Sequence, residues 1–104
     1  MIIEGDAARN VYVDGRLLTP QRSQKVWNHS PDGFNWGYGG SGPAQLALAI
    51  LLEAEVPKQR AIELHQPFKW KFIAPLPAGE PFCIEIDLHA WYAAGAPEAD
   101  EVEA

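Results

Sequence analysis

Residues 41–57 read SGPAQLALAILLEAEVP, and the fold turns on where this run sits. Ser41 suits an N-cap, and Pro43 suits a first helical turn, where a missing N–H costs nothing. Between Ala44 and Ala54 only Gln45 and Glu53 are polar. A helix that is apolar all round is a buried one. Val56-Pro57 closes it, because the residue before a proline is pushed out of helical geometry. The sequence therefore predicts a helix at the centre of the domain, with a sheet on one side and other helices around the rest.

Outward to the N-terminal side lies GFNWGYGG, residues 33–40. A glycine-rich turn before a helix can cradle phosphate on free backbone N–H groups. A phosphate loop also needs Lys-Ser/Thr after its last glycine, and Pro43 and Ala44 stand there. The favoured reading is a tight strand-to-helix corner beneath bulky aromatics. The lesser one is an anion or nucleotide held by the N–H groups of Gly39, Gly40, Ser41 and Gly42, beside Trp36 and Tyr38.

Two hairpins are expected before the helix. Val11-Tyr12-Val13 is β-prone, and Asp14-Gly15 is a two-residue hairpin signal, giving strands at 10–13 and 16–19. Ser30-Pro31-Asp32-Gly33 has the composition of a second turn. If residues 23–38 pair around it, Trp27 faces Trp36, His29 faces Phe34 and Lys25 faces Tyr38. One face then carries Trp27, His29, Phe34, Trp36 and Tyr38. That face either packs on the central helix, the favoured outcome, or stays partly open for a partner. Residues 1–9 read as a frayed or edge segment.

After the helix, Ala61, Leu64, Phe68 and Phe72 repeat at helical spacing, which predicts a helix over about 58–74. Phe68-Lys69-Trp70-Lys71-Phe72 also alternates like a strand, and Pro67 breaks or kinks either one. FCIEI (82–86) reads as extended, and Asp87 can cap a last helix over 88–93. Cys83 lies in an apolar run and is expected to be a buried, inert thiol.

The whole is an α+β domain over residues 1–94: two antiparallel hairpins form a small sheet on the buried helix, and two or three helices follow. Residues 95–104 are expected to be an acidic, disordered tail. The 104 residues carry 14 acids against 8 bases. Four of those acids (Glu98, Asp100, Glu101, Glu103) fall in the tail. No basic footprint marks a nucleic-acid binder. No apolar run spans a membrane and no leader is visible, so a cytoplasmic protein is expected.

Catalysis finds little to work with. His29, Ser30 and Asp32 are crowded into one turn and cannot align as base, nucleophile and orienter. His29, His65 and His89 match no metal-ligand spacing, and separate roles are expected for them. No cofactor, metal or catalytic residue is assigned.

The string NHSPDGFNWGYGGSGPAQLALAILLEA (28–54), with FKWKFIAPLP (68–77) and IEIDLHAW (84–91), resembles a small domain family of unknown function from bacteria and their phages. The resemblance spans about residues 10–94, with Pro67 as a departure. It implies a standalone α+β domain of phage or mobile-element type and brings no reaction, cofactor or site residue. The expected function is that of a non-enzymatic accessory protein that binds a macromolecular partner, a protein rather than nucleic acid. The alternative is the small-ligand site at the glycine loop. Candidate contacts are Trp27, His29, Trp36, Tyr38, Gly39, Gly40, Ser41 and Gly42.

Overall fold

A computed structural model describes residues 1–93. The chain forms β1 (Ile2–Gly5), β2 (Val11–Val13), β3 (Arg16–Leu18), α1 (Gln21–Val26), α2 (Ser41–Glu53), α3 (Lys58–Phe68), a π-helical turn (Lys69–Ile73), β4 (Phe82–Glu85) and α4 (Leu88–Ala93). The expected domain limit at 94 and the tail at 95–104 lie outside the described residues. No helix among them is long and apolar enough to cross a membrane.

The four strands make one antiparallel sheet in the order β3-β2-β1-β4. Alternation decides its faces. Ile3, Val11, Val13, Leu18 and Phe82 point inward and are buried, while Ile2, Leu17 and Cys83 point to solvent. The α+β class therefore stands, with antiparallel hairpins on a buried central helix and two more helices after it. The Asp14-Gly15 turn also stands, with Val13 paired to Arg16 across it.

Residues 1–9 are not an edge. β1 is a central strand, paired on both sides. A turn held by Asp6 joins it to β2: the carboxylate accepts from the N–H groups of Ala8 and Asn10 and from the Asn10 amide. The second hairpin is thus β1–β2, not residues 23–38.

Within 23–38 no strand forms. Pro20 takes helical angles and starts α1, which runs through Val26. The Ser30–Gly33 turn does close, with Gly33 N–H on Ser30 O at 3.2 Å. Its flanks never pair with each other. The N–H groups of His29 and Ser30 donate to the Gln45 side chain instead. Trp36 N–H bonds Asn35 Oδ1, and Gly37 N–H reaches Ile73 O. A buried side chain and a distant carbonyl therefore take the hydrogen bonds a hairpin would need.

α2 is buried from Gly42 through Leu52, as an all-apolar helix must be. Its N-cap is Gly40, with Ser41 already helical and no side-chain cap. The far end closes as a Schellman motif: Val56 N–H bonds Leu51 O and Glu55 N–H bonds Leu52 O. Glu55 takes the left-handed conformation at its centre, with φ 65°.

α3 packs on α2 through Ala61, Leu64 and Phe68, all buried. The strand alternative for 68–72 falls. The chain stays helical past Pro67 and then widens into the π turn, whose closing bond runs from Ala74 N–H to Lys69 O at 2.9 Å. The disturbance at Pro67 is thus a change of helical type. Beyond it, Phe68 and Phe72 meet at a tilt, and each packs edge to face with Trp91 of α4. Asp87 caps α4 through Ala90 N–H at 2.9 Å. Cys83 is exposed rather than buried, because pairing in β4 turns Phe82 inward and Cys83 out.

Candidate functional site

The site is built on Gln45, the one polar side chain on the buried length of α2. Its carbonyl accepts from the N–H groups of His29 (2.8 Å) and Ser30 (3.0 Å). Its amide donates to Ser23 Oγ (2.8 Å) and Trp27 O (3.1 Å). All four bonding positions of a glutamine amide are used. Residues 27–30, which have no regular structure, are thereby fixed to the central helix.

That fixing aims two side chains. The Trp27 indole stacks on the His29 imidazole, with ring centroids 4.4 Å apart. His29 Nε2 then lies 3.0 Å from His65 Nε2 of α3. The proton positions follow from the partners. His65 Nδ1 is 2.6 Å from Ile62 O, and a carbonyl only accepts, so Nδ1 carries the hydrogen. Nε2 of neutral His65 is then an acceptor, and His29 Nε2 donates to it. His29 Nδ1 is left with a lone pair and no protein partner. Since no buried side-chain polar atom lacks a partner among the described residues, that nitrogen reaches solvent.

Lys69, the first residue of the π turn, completes the group. It is 5 % exposed. Its ammonium donates to Gly39 O at 3.0 Å and sits 4.5 Å from the centre of the Trp70 ring. Arg16 pairs with Glu53 and Arg60 with Glu63, and among the described residues no carboxylate pairs with Lys69. Burial lowers the pKa of Lys69. Burial first, and then the Lys69 charge, lowers that of His29. His65 is lowered chiefly by burial, against the opposing hydrogen bond to Ile62 O. Both imidazoles are therefore neutral at pH 7.

The glycine loop forms the other wall. Trp70 lies against Gly39, where any β-carbon would run into the indole. Gly37 has φ 86° and passes against the Ala78 backbone, leaving no room for a side chain. Tyr38 covers Gly40. Contacts thus join Trp27, His29 and His65 in one group and Lys69, Trp70, Gly39, Gly40 and Tyr38 in another, with His65 and Lys69 four residues apart on one helical run. Trp27 is 48 % exposed, Trp70 49 % and Tyr38 46 %.

The sequence candidates separate into three sets. Trp27, His29, Tyr38, Gly39 and Gly40 belong to this patch. Trp36 does not: it is buried in the core, edge-on to Phe82, and its indole N–H bonds Glu80 O at 2.8 Å. Ser41 and Gly42 border a separate polar cavity of about 550 Å³, with Arg9, Asn35 and Tyr38. His65 and Lys69 are the residues the sequence did not single out. His29 and His65 were expected to act separately, and they meet because α3 folds back on α2. His89 is elsewhere, beside a cleft with Glu55, Glu85 and Asp87. Among the described residues no group of three or more His, Cys, Asp or Glu side chains is placed to hold a metal ion.

No curated protein and no solved structure matches this chain. A family model does match, over residues 4–94, which takes in the sheet from the middle of β1 onward, the central helix and every residue of the patch. The chain belongs to DUF6166, a family of unknown function.

Proposed function

We propose that this is a non-enzymatic accessory protein, of phage or mobile-element type and cytoplasmic, that holds a protein partner on the patch around Trp27, Tyr38 and Trp70. One observation carries this reading: three large aromatics, each about half exposed, flank the His29–His65 pair and the glycine loop. Exposed aromatics grouped in this way are typical anchors of a partner, and single scattered ones are not. The chemistry of the patch supports binding over turnover, because the two histidines spend their Nε2 atoms on each other. The test is affinity capture by the wild type and by a Trp27→Ala/Trp70→Ala double variant. A protein retained by the wild type and lost with the variant is expected. Identical captures from both would sink the reading.

A second reading rests on the polar cavity at the start of α2. Arg9, Tyr38, Ser41 and Gly42 border it, and a helix N-terminus favours anions. A nucleotide or inorganic anion there should raise the melting temperature. A flat thermal shift across a phosphate and nucleotide panel at about millimolar ligand removes it.

A further inference from the structure

Lys69 is the anomaly of this molecule. The chain carries six more acids than bases, and yet one lysine is almost wholly buried and no carboxylate meets it among the described residues. Burying a charge is costly unless it is paired. Its partners are a single carbonyl and an indole face. His65 stands four residues before it on the same helical run, and His29 Nε2 lies 3.0 Å from His65 Nε2. The counter-charge that Lys69 lacks is therefore missing beside two neutral imidazoles.

The proton arrangement says how an anion is received. The His29–His65 hydrogen bond needs one donor and one acceptor, so doubly protonated rings cannot keep it. A single added proton leaves it intact only on His29 Nδ1, the solvent-reaching nitrogen. His29 then presents an N–H outward and still donates to His65. The groups around it are His65 and neutral Gln66 from α3, Lys69 from the π turn, and neutral Gln45 from α2.

We propose that His29 and Lys69 form the seat for one carboxylate, that of an Asp or Glu in an apolar segment of the protein partner, taken up together with one proton on His29 Nδ1, while His65 holds the His29 ring in place. The proton comes from solvent, the carboxylate stays ionised, and no covalent bond changes. The apolar neighbours of that carboxylate lie on Trp27 and Trp70. The occupant is a lone acid among apolar residues because the net charge of −6 repels a polyanion such as nucleic acid or an anionic membrane. This assignment rests on the partner-binding reading above and names the chemistry of its contact.

The test titrates the full chain with acetyl-Leu-Glu-Leu-amide and its Leu-Gln-Leu counterpart, followed by nitrogen NMR of the imidazoles and by tryptophan signals. The free protein should show hydrogen on His65 Nδ1 and His29 Nε2. The Glu peptide should perturb Trp27, His29 and Lys69. Its affinity should weaken roughly tenfold per pH unit once the pH exceeds the pKa of free His29. His29→Asn should abolish that slope, and Lys69→Met should weaken binding while keeping it. The proposal is overturned if the Gln peptide binds equally, if binding ignores pH, or if inorganic phosphate or an oligonucleotide binds the seat more tightly. The wild-type slope decides the matter even where a variant fails to fold. If the tryptophan variant loses its partner while the Glu peptide fails, partner binding stands and the seat falls. If the peptide binds as described while both captures are identical, the seat stands and partner binding falls.

Discussion

At the scale of single residues, Gln45 matters most for shape. In sequence it is an isolated polar position in an apolar helix, and nothing nearby says what it bonds. Its four bonds hold the segment that carries Trp27 and His29. Gln45→Leu keeps the size and removes every bond, leaving the His29 and Ser30 N–H groups and the Trp27 carbonyl without their partner. The expected cost is about 2–4 kcal/mol, since each buried group left unpaired loses its full desolvation energy. Urea unfolding measures it, and a loss below about 1 kcal/mol would mean that water replaces the amide. The same residue explains the misplaced hairpin. The Ser30–Gly33 turn was legible, and so was the spread of aromatics around it. What was not legible is a competing acceptor contributed from a later helix. Pairing rules read along the chain see only local partners.

At the scale of elements, α2 shows which features a sequence announces. Its burial follows from having almost no polar residue, and the structure buries it throughout. Its end is less visible. The Schellman closure places Glu55 in left-handed geometry, where glycine is the usual residue. Glu55→Gly should therefore stabilise the fold, by up to ~1 kcal/mol. A raised urea midpoint with an unchanged slope is the expected result. A lowered midpoint would show that the Glu55 side chain makes a contact worth more than the strain. The region after α3 was ambiguous for a physical reason. Its alternation of Lys and aromatic residues suits a strand, and Pro67 weakens a helix. The helix wins because Phe68 and Ile73 reach the core, and the π turn then swings Lys69 toward Gly39.

At the scale of the molecule, the α+β class, the central helix and the first hairpin were readable from pattern alone, because each depends on local periodicity and turn chemistry. The patch was readable only in part. Trp27, His29, Tyr38 and the glycines stand close together in sequence, whereas His65 and Lys69 join them only through the packing of α3 on α2. The binding of residues 27–30 to the core also bears on motion. Irregular segments ordinarily exchange their amide hydrogens with solvent within moments, because brief local openings suffice. Here the His29 and Ser30 amides are bonded to a side chain from the most deeply buried helix. Releasing them means disturbing α2 itself. In deuterated water these two amides should outlast those of the exposed loop residues around them and exchange at the pace of α2. Fast exchange at both would show that residues 27–30 lift off without the helix. With slow exchange, the loop that carries the patch keeps time with the core of the molecule, and a partner would meet a surface already in its bound shape.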